Sequence, residues 1–316
     1  MCDLAGAVQV SAAGYSGWMC SSGTPILSYC SWSGVTCAGT AVTSINLNEY
    51  GAVGSIPSEI GYLTQLYFLS LNYNILTGSI PSSIGSLSLL TYLNLDYNIL
   101  SYSIPSSIGF LALLRGLSFN DNMITGTIPS SIGYLTQLSR LDLHYNLLSG
   151  TIPSSIGYLT ELHALYLNGN KLTGAVPSAI GYLSHLYNLF LKYNSLTGSI
   201  PSHLCAIRTL KVLDASSNRI ACYSSCLTTV SAKHFDTNTG MCTSSPSSGM
   251  LFMYTWSRPP CTCSHTVHII LCHLYFYLVC KEIAIVYIKQ WNVEMVYVSL
   301  HTLTSTRASI LRLSAF

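Results

Sequence analysis

A 24-residue pattern of apolar and polar positions repeats through most of the chain. Seven copies follow one another from Gly54 to Ala221, and one of them, Gly126–Ser149, reads GTIPSSIGYLTQLSRLDLHYNLLS. In each copy apolar and polar residues alternate over a short stretch, as around Leu141 and Leu143, and this alternation predicts a strand with one buried face. Self-similarity at a fixed period predicts units that stack along one axis, because a single copy cannot bury its apolar face alone.

An asparagine recurs at a fixed place in every copy, and an Ile-Pro step recurs in six of the seven. The asparagine follows the strand, and its amide group both donates and accepts, so it can satisfy backbone groups of a buried turn. Its positions are Asn74, Asn98, Asn122, Asn146, Asn170, Asn194 and Asn218. Proline suits the first turn of a short helix and is excluded from a central strand, so the proline begins the return side of each copy. With the partial copy Ala41–Val53, the pattern predicts about eight parallel strands.

The spacing L-x-x-L-x-L-x-x-N-x-L, as in Leu138, Leu141, Leu143, Asn146 and Leu148, is typical of the leucine-rich repeat. The additional G-x-I-P-x-x-I-G segment resembles the plant-type subclass, whose members include extracellular receptor-like and polygalacturonase-inhibitor-like proteins. This resemblance implies an α/β solenoid: a right-handed superhelix with a parallel sheet on the concave side, 3-10 or short helices on the convex side, and disulfide-linked caps.

The twelve cysteines cluster at both ends and none occurs from Ala38 to Leu204, which indicates stapled caps and an oxidising compartment. Cys30-Ser-Trp-Ser-Gly-Val-Thr-Cys37 resembles the C-x-W-x-G-V-x-C motif of the family's N-terminal cap, and the resemblance implies a Cys30–Cys37 disulfide and a packed Trp32. Disulfides of open connectivity are also expected among the other cap cysteines. These are Cys2 and Cys20 at the N-terminal end, and Cys205, Cys222, Cys226 and Cys242 at the C-terminal end.

Four segments are predicted from these patterns. They are an N-terminal cysteine cap over residues 1–40, the repeats over 41–221, a C-terminal cysteine cap over 222–243, and a linker with a hydrophobic tail over 244–316. The tail holds an apolar run, but Lys281 and Glu282 interrupt it, and a bilayer needs about 20 uninterrupted apolar residues. We expect a poorly ordered tail, with weak membrane association through 267–288 as the alternative.

Composition and motifs exclude several functions. Charged residues form only 8% of the chain and the net charge is +2, so the chain lacks the basic footprint of a nucleic-acid-binding protein. We find no G-x-S-x-G, no phosphate-cradling glycine loop, no H-E-x-x-H and no kinase motif. The cysteine and histidine spacings fit no standard zinc site. The sequence therefore predicts a non-enzymatic protein without a cofactor or metal.

The outward positions of the predicted sheet are the candidate binding surface. Residues 24 apart become lateral neighbours, and solenoids bind partners on this concave face. The alternative is that the tyrosine rows merely cover the sheet. The third copy departs most from the pattern, since Tyr102 stands where glycine is expected and charges gather nearby. The predicted binding residues are Tyr73, Asp96, Tyr97, Arg115, Asp121, Arg140, Asp142, His144, Tyr145, Tyr166, Phe190 and Tyr193.

The sequence favours a function in recognition of a protein, peptide or carbohydrate partner, outside the cell or at its surface. Two alternatives stay open: an ice-binding or wall-enzyme-inhibiting leucine-rich-repeat protein, and a truncated receptor ectodomain without its kinase. The first residues show no basic segment followed by an apolar run, as a signal peptide would. We therefore expect that the sequence is truncated at its N-terminus.

Overall fold

The computed structural model describes residues 28–236 and 239–242, apart from the side chain of Thr229, and the backbone of 8–10, 20–21 and 24–25. All of these belong to one compact unit, Met1–Pro246. The proposed Cys2–Cys20 bridge, the tail 244–316 and its candidate anchor 267–288 lie outside the described residues.

The concave side is a ten-stranded sheet, which we call the main sheet. Nine of its strands are parallel, and one strand from the N-terminal cap, Val35–Ala38, pairs antiparallel at its edge. Between Phe68 and Asp214, strand residues 24 apart pair with one another, as Leu117 does with Leu141. The nine parallel strands are Ala41–Asn46, Phe68–Ser70, Tyr92–Asn94, Gly116–Ser118, Arg140–Asp142, Ala164–Tyr166, Asn188–Phe190, Val212–Asp214 and Ala232–His234.

The opposite, convex side consists of short 3-10 helices. In the seven repeats, a proline in extended conformation precedes each helix and ends the preceding segment, as the Ile-Pro pattern predicts. The combination of a parallel concave sheet and a 3-10 convex side confirms the predicted solenoid. The helices are Tyr29–Ser31, Ser58–Tyr62, Ser82–Ser86, Ser106–Phe110, Ser130–Tyr134, Ser154–Tyr158, Ser178–Tyr182, Ser202–Ala206 and Ser225–Thr229.

A second layer of strands follows the asparagine turn of each coil and was not predicted. It forms a four-stranded and a five-stranded sheet, and between them Ser103 and Thr127 form single bridges to Thr125 and Ser149. The interruption lies at the copy in which Tyr102 replaces glycine. The strands are Val8–Val10, Ala52–Ser55, Ile75–Gly78 and Ile99–Leu100, then Ser149–Thr151, Lys171–Ala175, Ser195–Ser199, Arg219–Tyr223 and Gly240–Met241; a separate pair is Cys20–Ser21 with Thr24–Pro25.

The core runs along the solenoid axis between these layers. The repeated leucines are fully buried, for example Leu69, Leu93 and Leu117. The asparagines form a ladder that ties each coil to the one before it. The Asn98 amide donates to the carbonyls of Leu71, Leu95 and Asp96 at 2.9–3.1 Å and accepts from the Leu76 N–H at 2.9 Å.

The N-terminal cap covers the first coil. Cys30 and Cys37 form a disulfide, and Trp32 is 1% exposed, as the resemblance implied. Gly34 has a φ of +80°, and a Cβ there would lie 2.3 Å from the Asn46 carbonyl oxygen, so the motif requires glycine at this place.

The C-terminal cysteines fasten one further coil to the repeats. Disulfides join Cys205 to Cys226 and Cys222 to Cys242, and both cross-link the last coil to the coil before it. The expected number of about eight parallel strands was therefore too low. The additional strand escaped the pattern because Val212 pairs with Ala232, only 20 residues further on, so this coil breaks the 24-residue period.

Candidate binding face

The predicted binding residues lie on the outward side of the main sheet, but they do not form one exposed layer. Tyr73, Tyr97, Tyr145 and Tyr193 are about half exposed. Asp142 is completely buried and Asp96 is 8% exposed, so the expectation that these two carboxylates face a partner directly is wrong. Neighbouring outward side chains lie over both carboxylates. An alternation pattern assigns side chains to a face but does not show which of them cover one another. They support the surface rather than form it.

The exposed tyrosines occupy an unusual backbone conformation. Tyr73, Tyr97, Asp121, Tyr145 and Tyr193 have φ between 48° and 56°, a region that bulky residues seldom adopt. The next coil holds this turn, since the N–H groups of Tyr73 and Tyr97 donate to carbonyls of that coil at 3.0 and 2.9 Å. Because the backbone is held on both sides, the rings project from fixed positions.

Aromatic stacks cover the two ends of the face. At one end, Tyr73 stacks on Tyr97 with 4.3 Å between ring centroids, and Phe68 stacks on Tyr92 at 5.0 Å. Towards the other end, Tyr166 stacks on Phe190 at 5.3 Å. Such pairs present rigid, partly polar contact surfaces with little rotamer entropy left to lose.

Charged side chains separate the two aromatic regions. Asp142 accepts from Arg140 at 2.6 Å with one carboxylate oxygen and contacts His144 Nδ1 with the other. The opposite ring nitrogen of His144 lies 3.7 Å from Asp121. We call Asp121, Arg140, Asp142 and His144 the charged network. The guanidinium of Arg140 also lies 4.5 Å from the Tyr166 ring centroid, which joins the network to the second aromatic region.

The charged network stabilises the protonated form of His144. Burial lowers the pKa of His144, but the hydrogen bond to Asp142 and the negative charges of Asp142, Asp121 and Asp96 outweigh it, so the pKa is raised above the ordinary value. Both ring nitrogens face carboxylates. His144 therefore has no ring nitrogen placed to accept a proton from a substrate.

Asp96 lies beside the network and has a strongly perturbed carboxyl group. Burial raises its pKa to about 6, although the Ser118 hydroxyl and the Asn120 N–H each donate to it at 2.8 Å. Ser118 and Asn120 were not among the predicted site residues. Their outward strand positions were the available signal, but only the structure shows that they close over the Asp96 carboxylate.

Asp96 is expected to make the protein less stable as the pH rises from about 4 to 6. Its folded-state pKa of about 6 exceeds the unfolded value of about 3.9, so the folded state binds the proton more tightly in this window. Urea unfolding at several pH values should show that the free energy of unfolding declines less with pH in Asp96→Asn, or rises, because the amide imitates the neutral acid. Identical pH profiles for the two proteins would contradict the assignment.

Arg115, the remaining predicted residue, is exposed. Lys192 was not among the predicted site residues, and its Nζ lies 4.4 Å from the centroid of the Tyr193 ring. Gly169 leaves room for the Tyr145 ring, because a Cβ there would lie 2.3 Å from it. In the described part of the chain, no group of three His, Cys, Asp or Glu residues is placed to hold a metal ion, and no helix has the length and apolar character to cross a membrane.

Family models for the leucine-rich repeat match residues 65–87, 89–111, 113–135, 137–159 and 160–220, which are the coils described above. The chain belongs to the leucine-rich-repeat family. The repeats and the similar solved structures confirm that it is a leucine-rich-repeat protein of the plant type.

Two solved structures show the similarity of fold. This leucine-rich-repeat chain resembles the crystal structure of PEPR1–AtPEP1 with a TM-score of 0.66 and 33% identity, over 70% of this chain and 31% of that one. It resembles the ectodomain of the Arabidopsis receptor kinase HAESA, in complex with an IDA peptide hormone ligand, with a TM-score of 0.65 and 31% identity, over 75% of this chain and 40% of that one.

A curated relative from Arabidopsis thaliana, the LRR receptor-like serine/threonine-protein kinase GSO2, is 44% identical over 55 residues. That match covers 17% of the leucine-rich-repeat chain and 4% of the kinase. The chain thus spans less than half the length of each of these three proteins.

Proposed function

We propose that this protein is a non-enzymatic recognition module that binds a peptide or protein partner on the outward side of its main sheet, outside the cell. The partner class is supported by the similar structures, whose ligands include a peptide hormone. The extracellular setting is supported by the receptor ectodomains among these structures and by three disulfides within the described residues, because such bonds persist in oxidising compartments.

One observation carries the proposal: the asparagine contacts are the same in every coil, whereas one outward strand position changes from coil to coil. Every coil from Asn74 to Asn218 keeps the same asparagine contacts, yet the strand position of Phe68 is occupied by tyrosine, glycine, arginine, alanine, asparagine and valine in the following coils. A layer that only covered the sheet would need no such variation. The variation places rigid rings on either side of a charged centre, as a specific surface requires.

The geometry also indicates which kind of ligand fits. An extended chain lying across the strands would contact the stacked rings at both ends and the charged network at its centre. Arg115 is exposed and forms no ion pair with a carboxylate among the described residues, so its guanidinium is available to a partner. The network itself is internally neutralised, so its contribution is orientation rather than net attraction.

The proposal can be tested without knowledge of the natural ligand. A phage-displayed library of linear peptides would be selected on the wild-type protein, and enriched peptides would be titrated by calorimetry. We expect the double variant Tyr97→Ala, Tyr145→Ala to bind them at least about tenfold more weakly, because exposed tyrosines are characteristic binding hot spots.

Tyr62→Ala is the matched control, since Tyr62 is also an exposed tyrosine but lies on the convex side. It should leave peptide affinity unchanged. Undiminished binding by the double variant, or an equal loss in Tyr62→Ala, would remove the main sheet as the binding surface.

A further inference from the structure

A second set of exposed aromatic residues lies on the convex side, away from the main sheet. Each member is the last residue of its 3-10 helix and is between 65% and 83% exposed. We call this set the convex aromatic column. Its members are Tyr62, Phe110, Tyr134, Tyr158 and Tyr182. Exposed apolar groups on one contiguous strip usually mark an interaction site.

The fold does not require these rings. In the helix Ser82–Ser86 the same position is occupied by Ser86, yet its neighbours Ile84 and Leu87 are as completely buried as their counterparts in the other coils. Serine at this position is therefore compatible with the fold of the coil. Packing of the core explains the buried residues on either side of this position, but it does not explain the exposed aromatic rings.

The rings are held at regular intervals by close packing beneath them. The glycine before each ring faces the next coil, and a Cβ on Gly133 would lie 2.5 Å from the Ser155 carbonyl oxygen. The serine ladder adds hydrogen bonds between the same helices, with the Ser131 and Ser155 hydroxyls donating to carbonyls of the preceding coil at 2.6 Å. Successive rings are thus one coil apart on a rigid support.

Between three of the rings the surface forms an open groove of about 560 Å³. Tyr134, Tyr158 and Tyr182 line it together with Thr136 and Thr160, and its lining contains no Asp, Glu, Lys or Arg. The hydroxyl groups of these five residues make no hydrogen bond within the described part of the chain. The groove therefore offers flat apolar faces, a rim of available hydroxyls and no charge.

These features of the groove favour one class of ligand over the others. Nucleic acid and anionic polysaccharides require cations to neutralise them, and the groove has none. A lipid surface would leave the hydroxyl rim unpaired. An uncharged polysaccharide matches both features, because its sugar rings have apolar C–H faces and hydroxyl edges. Its repeating units also match a groove in which the same residues recur once per coil.

We propose that the groove along Tyr134, Tyr158 and Tyr182 binds an uncharged polysaccharide, with successive sugar units stacked on successive rings. The site is independent of the proposed peptide surface, since the two lie on opposite sides of the coils. A protein with both sites would hold a matrix polymer on one side and leave the main sheet open to its partner.

The test is affinity gel electrophoresis in soluble xyloglucan, which is uncharged, and in polygalacturonate, which is anionic. We expect xyloglucan to retard the wild-type protein and polygalacturonate not to. The triple variant Tyr134→Ser, Tyr158→Ser, Tyr182→Ser should bind xyloglucan at least about tenfold more weakly, with an unchanged thermal unfolding midpoint because serine already occurs at position 86. The variant Tyr97→Ala, Tyr145→Ala should bind it normally.

A gain of function supplies a second readout. Ser86→Tyr closes the gap between Tyr62 and Phe110, so it should strengthen retardation by xyloglucan if the column acts as one surface. Absence of xyloglucan binding by the wild-type protein, or equal binding by the triple variant, would overturn the proposal. A dimer in sedimentation velocity that the triple variant abolishes would overturn it as well and assign the column to a second copy of the chain.

Discussion

Replacing Asn98 by alanine is expected to lower the free energy of unfolding by about 4 kcal/mol. The substitution leaves the buried Leu76 N–H without its acceptor. It also removes one of the two donors to each of the Leu71, Leu95 and Asp96 carbonyls, whose other donors remain. Each lost bond contributes about 0.5–1.5 kcal/mol. Each unsatisfied buried group costs about 1–3 kcal/mol, because water cannot enter to replace the lost partner. Urea denaturation followed by circular dichroism measures the loss.

The control for this experiment is Asn168→Ala in a neighbouring repeat. Asn168 lies on the outward side of the sheet, is partly exposed, and its side chain makes no hydrogen bond within the described residues. Its removal should change the unfolding free energy by less than about 0.5 kcal/mol. If the two variants lost similar stability, or if Asn98→Ala lost less than about 1 kcal/mol, the ladder would not be the main link between coils.

Replacing Asp142 by alanine is expected to cost about 2 kcal/mol and to lower the pKa of His144. Asp142 is fully buried and is the shared acceptor of Arg140 and His144, so its loss leaves two cations beside each other without the carboxylate that neutralises them. Breaking a fully buried ion pair costs about 3–5 kcal/mol. We expect less here, because the Arg140 side chain is half exposed and water can solvate it after the change.

Asp214→Ala is the matched control, since Asp214 holds the same strand position three coils further on. It is also buried, at 8% exposed, but bonds only the N–H and hydroxyl of Ser216 among the contacts of the described residues. Its removal should cost about 1 kcal/mol. Titration of the histidine ring protons by NMR should show the lowered pKa of His144 in Asp142→Ala only. An unchanged titration there would mean that Asp142 does not stabilise protonated His144.

The elements that repeat could be predicted from the sequence, because each obeys a local rule that acts identically in every coil. The alternation around Leu141 and Leu143, the asparagine after the strand and the Ile-Pro step each have one physical role, so seven copies allow one interpretation. The final coil was not predicted, because it does not follow these rules. Its strand Ala232–His234 lies 20 residues after its neighbour. The Ser217 and Asn218 N–H groups donate to the Asp236 carboxylate, whereas the corresponding groups of the preceding coil donate to backbone carbonyls.

The properties of the binding face depend on contacts between coils, which a linear pattern does not contain. Alternation correctly places Asp142 and Tyr166 on the same outward side, but the burial of Asp142 follows from Arg140 and His144 closing over it. The convex aromatic column was visible in the sequence as a tyrosine or phenylalanine directly before five of the repeated leucines. Its exposure was not predicted, since the 3-10 helices offer no simple periodicity for deciding which way a side chain points.

The shortened last coil also affects how molecules of this protein meet one another. A stack of identical coils has two open ends, and an end that matched the next molecule's first coil would let the stack continue as a fibre. At the first end, the antiparallel strand Val35–Ala38 occupies the edge of the main sheet. At the other, the last coil departs from the 24-residue spacing, so the leucine and asparagine rows of a regular coil would not align on it. Neither end of the main sheet therefore presents a regular 24-residue coil to a second molecule.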